Sequence, residues 1–160
     1  MKIIPFAEKY RKDFIEMNLA WIKSMFQIVE PQDEKEFSDI DPYLARGGQI
    51  FFAIDDDGHA MATCMIAPRE DGDWEIMKLA ARGMYTGTGA GSACLTACID
   101  YARQKGVPRI IMASNRKCTH AVRLYRKFGF QEIPVDRKKF PFERADIAFE
   151  MVLDRESQTI

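Results

Sequence analysis

Residues Ala81 to Gly91 read A-R-G-M-Y-T-G-T-G-A-G and join an apolar, strand-like segment to an amphipathic helix. Glycines at Gly87, Gly89 and Gly91 leave backbone N–H groups uncovered where that helix would begin. Unpaired N–H donors and the positive end of the helix dipole attract phosphate groups. The stretch therefore predicts a strand, a phosphate-binding loop and a helix in direct succession.

Two common kinds of phosphate loop fit this stretch poorly. A Walker-type loop ends in Gly-Lys followed by Ser or Thr, and the chain contains no Gly-Lys pair. A dinucleotide-binding loop has the spacing G-x-G-x-x-G and an acidic residue about 20 positions later. Here the spacing is G-x-G-x-G, and the later region holds Pro108, Arg109 and Ile110 instead.

A third kind of loop fits better. Thr86 to Gly91 resembles the pyrophosphate loop of the GNAT acetyltransferase superfamily, usually written [Q/R]-x-x-G-x-[G/A]. Upstream, W-E-I-M-K-L-A-A (74–81) resembles the strand before that loop, and downstream A-V-R-L-Y-R-K-F-G-F (121–130) resembles the family's A-i-x-L-Y-e-k-x-G-F. Thr86 stands where the family usually has Arg or Gln, and Cys118 where many members have Asn.

The order of periodic segments is that of an α+β protein. Apolar stretches predict strands at 2–6, 49–54, 60–67, 74–81, 109–114, 131–135 and 145–153. Helical spacing and end signals predict helices through Tyr10 to Met25, from Pro31 to the Gly47-Gly48 pair, and at 88–105 and 119–128. The resemblance implies the GNAT fold over a single domain, 1–160. It has a mixed central sheet of about six to seven strands, flanked by helices, whose parallel central strands (74–81 and 109–114) splay apart.

Composition excludes several function classes. The chain has 160 residues, a net charge of -1 and a sequence pI near 6.1, so no basic field favours nucleic acid or an anionic membrane. No apolar run approaches the 18 or so residues of a membrane span, and we expect a cytoplasmic protein. Cys94 and Cys98 share one helix face and are expected in the core. Cys118 and His120 lack zinc spacing and His59 lies in a D-D-D-G-H turn, so no metal is expected.

The resemblance implies acetyl-CoA as cosubstrate, with its pantetheine arm pairing with the strand near Leu79 to Ala81. Asn115 is a further candidate to hydrogen-bond the cofactor, although an Asn at a strand end is more often a turn residue. The cofactor-binding residues expected are Leu79, Ala80, Ala81, Thr86, Gly87, Thr88, Gly89, Ala90, Gly91, Ser92, Asn115 and Tyr125.

Acyl transfer to an amine requires an acceptor for the ammonium proton, because such an amine is mostly protonated at neutral pH. Glu75 is the candidate if it faces the cleft; otherwise it is a solvated or salt-bridged residue. The backbone N–H of Ala80 or Ala81 is the expected donor to the oxyanion. By resemblance, the hydroxyl of Tyr125 is the general acid for the departing thiolate; the alternative is a core aromatic.

The acceptor is the least determined partner. The resemblance places its site in residues 21–41 and 135–146, and implies a small-molecule or peptide amine. An acidic run there can attract a cation, although a charged helix face is usually solvated. A non-catalytic acyl-CoA-binding module is the alternative function, and a homodimer is an open alternative. The acidic run consists of Asp33, Glu34, Glu36, Asp39 and Asp41. The aromatic residues that can shape an apolar pocket are Trp21, Phe26, Phe140 and Phe142.

Overall fold

The computed structural model describes residues 1–83 and 87–153, which build one seven-stranded sheet with helices packed against both faces. No helix within these residues is long and apolar enough to cross a membrane. The strands are β1 (Lys2–Ile4), β2 (Gln49–Ile54), β3 (Ala60–Pro68), β4 (Trp74–Ala81), β5 (Arg109–Ser114), β6 (Gln131–Ile133) and β7 (Ile147–Val152). The helices are α1 (Arg11–Phe26), α2 (Pro31–Ser38), α3 (Ile40–Ala45), α4 (Ala90–Gln104) and α5 (Thr119–Lys127), with a short 3-10 turn at Glu8–Tyr10.

The sheet order is β1-β2-β3-β4-β5-β7-β6. Strands β1 to β4 form an antiparallel meander, and β5, β7 and β6 form a second antiparallel group. These groups meet at β4 and β5, which run parallel because α4 carries the chain across the sheet between them. The mixed sheet of seven strands confirms the fold class expected from the sequence.

Prolines explain three of the differences between the predicted and the observed elements. The single helix predicted from Pro31 divides into α2 and α3, because Pro42 has no N–H to bond to Ser38 and its ring opposes a continuous helix there. Likewise β1 ends before Pro5 and β6 ends before Pro134, two residues earlier than predicted in each case.

Two main hydrophobic cores lie on opposite faces of the sheet. On one face α4 and α5 pack over the strands, and Cys94 and Cys98 are buried there together with Cys64, which confirms their expected core position. On the other face α1 contributes Phe14 and Met17 from its predicted apolar stripe. The central strands are therefore covered on both sides, and their ends are held rigidly.

The parallel pair β4 and β5 is joined only at its beginning. Trp74 pairs with Ile110 and Glu75 with Ile111, and no further pair follows among the described residues of the two strands. The register between β3 and β4 also slips between Thr63 and Met65, which places an extra residue in β4. Lys78 lies at this bulge with φ +57°, a conformation that costs energy for a residue other than glycine. The central strands thus splay apart as expected, and β4 is distorted beside the opening.

Candidate functional site

A cavity of about 730 Å³ fills the opening between β4 and β5. The loop before α4 bounds one end, and residues from α1, α2 and the segment before β7 bound the other. The sequence-predicted site residues that line it are Glu75, Leu79, Ala80, Ala81, Gly87, Gly89, Gly91, Ser92, Asn115 and Tyr125. Residues far apart in the chain, including both predicted catalytic side chains, therefore face one space.

The glycine loop has the backbone geometry of an anion cradle. Gly87 and Gly89 have φ values of +83° and +88°, and a Cβ built on either would meet no protein atom within 4 Å. Gly89 is the N-cap of α4, and the helix has no side-chain cap and no acidic residue in its first turn. The first intrahelical bond links Ala93 N–H to Gly89 O, so three earlier N–H groups precede the hydrogen-bond ladder.

Those three N–H groups belong to Ala90, Gly91 and Ser92. Ala90 is fully buried and does not line the cavity, so its expected contact with a cofactor would come from its backbone alone. Thr88 does not line the cavity either, and Thr86 lies outside the described residues.

Basic side chains that the sequence did not identify as cofactor-binding line the same cavity. His120, Arg123 and Lys127 lie along α5 at spacings of three and four, and Lys117 precedes that helix. The helical spacing of the three α5 residues is the signal that could have identified them. Lys117, Arg123 and Lys127 place positive charge along this wall of the cavity.

Glu75 lies at the last paired position of the parallel strands and is almost fully buried. Its Oε1 accepts a hydrogen bond of 2.6 Å from Nη1 of Arg69. Burial and the nearby carboxylate of Glu36 raise the pKa of Glu75 to about 8, although Arg69 and Lys78 oppose that shift. A carboxyl group with this pKa is well matched to accepting a proton near neutral pH.

Tyr125 lies on α5 with its ring against Phe130 and Phe149, at centroid distances of 6.1 and 5.7 Å. The residue is both a packed aromatic and part of the cavity wall, so its packing is compatible with either alternative raised by the sequence. Burial, followed by the nearby thiols of Cys64 and Cys118, raises the pKa of Tyr125 above its ordinary value. The phenol therefore keeps its proton at any ordinary working pH.

Asn115 lines the cavity, but its amide group is engaged in the surrounding loops. Its Nδ2 donates to the carbonyl oxygen of Arg144 at 2.6 Å, and its Oδ1 accepts from the backbone N–H of Lys117 at 2.8 Å. This is the turn role that an Asn at a strand end often has. Its contact with a cofactor stays a prediction.

A buried ionic cluster closes the end of the cavity opposite the glycine loop. Asp33 of α2, which is fully buried, accepts hydrogen bonds from Nζ of Lys78 and from both terminal nitrogens of Arg144. Glu36 lies 3.2 Å from Lys78 Nζ, and Glu30 lies 3.4 Å from Arg144. Burial alone would raise the pKa of Asp33, but its bonds with Arg144 and the charge of Lys78 outweigh burial and lower that pKa.

The expectation of a solvated acidic helix face is wrong for Asp33 and Glu36, which are 0% and 4% exposed. The bulge in β4 is the reason, because it directs Lys78 toward α2 and supplies a buried cation for the carboxylates. Sequence reasoning also missed Lys78 and Arg144 as site residues. The available signal was a lysine between two apolar residues of a strand, Met77 and Leu79.

Aromatic side chains cover the cluster on the cavity side. The guanidinium of Arg144 lies 4.6 Å from the ring centroid of Phe142, 5.5 Å from that of Trp21 and 5.8 Å from that of Phe26. Trp21 is oriented by a 2.9 Å hydrogen bond from its Nε1 to Asn18. All three rings line the cavity, whereas Phe140 is buried in a separate cluster and does not.

One group of potential metal ligands lies away from the cavity. In the exposed turn between β2 and β3, ligand atoms of Asp55, Asp57 and His59 lie within 4.8 Å of one another. Oδ1 of Asp55 accepts hydrogen bonds from the backbone N–H groups of Asp57 and His59 at 2.9 and 2.8 Å. These bonds shape the turn, and we assign no ligand to it.

Comparison with known proteins agrees with this geometry. The family model of the acetyltransferase (GNAT) family matches residues 15–130. A GNAT-family acetyltransferase from Staphylococcus aureus MU50 has a similar structure, with a TM-score of 0.84 and 22% identity over 96% of this chain and 99% of the other. No curated protein sequence matches the chain.

Two further similar structures contain a ligand. The Salmonella typhimurium protein yncA was solved with its cofactor acetyl-CoA, and it has a TM-score of 0.76 and 15% identity over 96% of this chain and 94% of the other. The PaiA N-acetyltransferase of Thermoplasma acidophilum was solved with coenzyme A, and it has a TM-score of 0.72 and 14% identity over 96% of this chain and all of the other.

Proposed function

The chain belongs to the GNAT family of acetyltransferases, and on that premise we propose that it transfers an acetyl group from acetyl-CoA to a primary amine. The observation that carries the proposal is that several groups needed for acetyl transfer line the same cavity. It joins an uncapped helix N-terminus, an unpaired strand edge, a buried carboxyl group of raised pKa and a phenol. Each of these is a group that acetyl transfer to an amine requires.

The residues present fit acetyl-CoA as cosubstrate. The N–H groups of Ala90, Gly91 and Ser92 and the open space at Gly87 and Gly89 suit a pyrophosphate. The cations at the α5 wall would complement its phosphates in place of the Arg or Gln that is usual at position 86. Leu79 to Ala81 line the cavity on a strand edge without a β5 partner, so their backbone can pair with the pantetheine amides.

The chemical step needs three proton transfers and one hydrogen-bond donor, and we assign a group of this chain to each. Glu75 would take the ammonium proton of the acceptor, through water, and so free the nitrogen lone pair to form the C–N bond. The backbone N–H of Ala80 or Ala81 would donate to the acetyl oxygen as it gains charge. Tyr125 would donate its phenolic proton to the thiolate released when the C–S bond breaks. The second proton that the nitrogen loses as the amide forms would return through water to the Tyr125 phenolate.

The alternative is a module that binds acyl-CoA without transferring the acyl group. The replacement of the usual Arg or Gln by Thr86 favours it. The raised pKa of Glu75 and the position of Tyr125 on the same cavity favour catalysis, because binding alone requires neither.

Acetyl-CoA is expected to stabilise the folded chain. At about 100 times its Kd, a ligand that binds only the native state adds about 2.7 kcal/mol to the free energy of unfolding. For a domain of this size that corresponds to a rise in Tm of about 5 to 10 °C. Thermal unfolding followed by fluorescence measures it, with NADH and ATP as controls that should raise Tm less. Equal shifts for all three ligands, or none for acetyl-CoA, would contradict the proposed cosubstrate.

Substitution of Gly89 by Val is expected to weaken acetyl-CoA binding by at least tenfold, or about 1.4 kcal/mol. The new side chain would occupy the space where the pyrophosphate must meet the backbone, and the positive φ of Gly89 adds strain. Gly58→Val is a matched control, because Gly58 has a φ of +85° and open space around it but lies in the turn between β2 and β3. Calorimetric titration should give wild-type affinity for Gly58→Val. Unchanged affinity in Gly89→Val would show that the phosphates bind elsewhere.

A further inference from the structure

The class of acceptor follows from the charges at the closed end of the cavity, provided that the proposed acetyl transfer holds. The cations that line this end are already paired with carboxylates. Arg144 donates from both terminal nitrogens to Asp33 at 2.7 and 2.6 Å, and its side chain is only 13% exposed. Lys78 bonds to Asp33 and lies 3.2 Å from Glu36, and its side chain is 4% exposed. Both cations are therefore already engaged by carboxylates of the protein.

The carboxylates at this end have unused capacity instead. Oε1 of Glu36 is buried and accepts no hydrogen bond from the described residues, although its ion pair with Lys78 holds it in place. Glu36 and Glu75 both line the cavity, and the charge of Glu36 contributes to the raised pKa of Glu75. The pair therefore offers a site for an ammonium group, next to the residue proposed to take its proton.

The net charge of the cluster also favours an ammonium group over a carboxylate. When Glu75 has lost its proton, the four carboxylates Glu30, Asp33, Glu36 and Glu75 outnumber by one the three cations paired with them, Arg69, Lys78 and Arg144, so the cluster then carries one net negative charge. A substrate ammonium would balance that charge. A carboxylate on the carbon next to the amine would enter the same space and be repelled.

Lys117 is a further cation that lines the cavity, and it lies outside the cluster. Lys117 donates to the carbonyl oxygen of Met25 at 3.1 Å and lies over the ring of Phe26, at the exposed rim. Between this rim and the cluster, the wall consists of Trp21, Met25, Phe26 and Phe142. An apolar group that binds against this wall is stabilised, because apolar surface on both sides is removed from water.

We propose that the acceptor is a primary amine on an apolar or aromatic body, without a carboxylate beside the amine. Glu36 is the residue that determines this specificity. It holds the ammonium group through its buried oxygen, and its charge excludes amino acids whose α-carboxylate is free.

The test compares 2-phenylethylamine with L-phenylalanine, which differ by that carboxylate. With acetyl-CoA saturating, we expect kcat/KM for 2-phenylethylamine to exceed that for L-phenylalanine by at least about tenfold. In Glu36→Gln the ratio should fall, because the repelling charge is gone while the shape of the side chain is kept. Glu34→Gln makes the same change at an exposed position of α2 and should leave the ratio at its wild-type value.

Each other outcome is decisive. Equal or faster acetylation of L-phenylalanine would overturn the proposed class, leave acetyl transfer intact and point to Lys117 as a carboxylate site. Faster turnover of ethanolamine than of 2-phenylethylamine would overturn the apolar body. If the ratio of the two kcat/KM values is unchanged in Glu36→Gln, Glu36 does not determine the preference. Turnover of no amine at all, with acetyl-CoA still bound, would refute the transfer reaction itself and this class with it.

Discussion

Replacement of Glu75 by Gln is expected to lower kcat/KM for the acceptor amine by roughly 10²-fold or more, with little change in the affinity for acetyl-CoA. Gln keeps the size of the side chain and can still hydrogen-bond, but it cannot take the ammonium proton. Steady-state kinetics and calorimetry of the same preparations separate the two effects. Glu70→Gln is the matched control, since Glu70 is an exposed residue of the turn that leads into β4.

The pH dependence gives an independent measure of the role of Glu75. Below its pKa of about 8 the carboxyl group is mostly protonated and cannot accept a proton, so kcat/KM should rise with pH through that value. The charged groups that set this pKa are Glu36 on α2, Arg69 in the turn before β4, and Lys78 on β4. Tyr43 on α3 faces the same carboxylates, and burial together with their charge raises its own pKa to about 12.

In Glu75→Gln the part of the profile due to this carboxyl group should disappear, and the part due to the amine of the substrate should remain. A variant with wild-type kcat/KM and an unchanged pH profile would assign the proton transfer to another group or to water alone.

Replacement of Tyr125 by Phe is expected to lower kcat roughly 10²-fold while the affinity for acetyl-CoA changes little. The ring contacts with Phe130 and Phe149 persist, so only the hydroxyl is lost. The loss of rate need not be complete, because a thiolate is a fair leaving group, with a pKa near 8.5 by analogy with cysteine. Stopped-flow measurement of CoA release determines whether the chemical step limits kcat.

Tyr101→Phe provides the control for Tyr125→Phe. Tyr101 lies on α4, and its hydroxyl donates a hydrogen bond of 2.6 Å to the carbonyl oxygen of Gly47. Tyr101 does not line the cavity. Loss of the hydroxyl should lower the free energy of unfolding by about 1 kcal/mol and leave kcat unchanged. If Tyr125→Phe keeps kcat within about threefold of wild type with chemistry limiting, the hydroxyl is not the general acid.

The fold was predictable to a large extent because local signals and long-range pairing agree. Each element has a clear local signal, such as the glycine loop, the alternating strands and the Leu-Tyr spacing before Gly129. Most strands that follow one another in the chain also pair in the sheet, so the local signals lead directly to the topology. Near Pro5, Pro42 and Pro134 the boundaries differ because a missing N–H outweighs the apolar pattern. Both α4 and β7 also begin two residues later than predicted, with no proline at either start.

The closed end of the cavity was not predictable in the same way. Asp33, Lys78 and Arg144 are separated by 45 and 66 positions in the chain, and only the bulge in β4 brings the lysine against α2. A bulge changes the direction in which a side chain points, but the sequence Met77-Lys78-Leu79 does not indicate that a bulge occurs there. The lysine can be noticed in the sequence, but the direction of its side chain cannot be predicted from it. The charged face of α2 therefore resembles a solvated surface until its partners are located.

Acetyl transfer itself is tested most directly by incubating the wild-type protein with acetyl-CoA and a panel of primary amines, amino acids and peptides. Free thiol and acetylated product are measured in the same samples, with Glu75→Gln as the background. We expect thiol and acetylated amine in equal amounts, formed only when both substrates are present and strongly reduced in the variant. Binding of acetyl-CoA without thiol release across the whole panel, or equal release by wild type and variant, would contradict it.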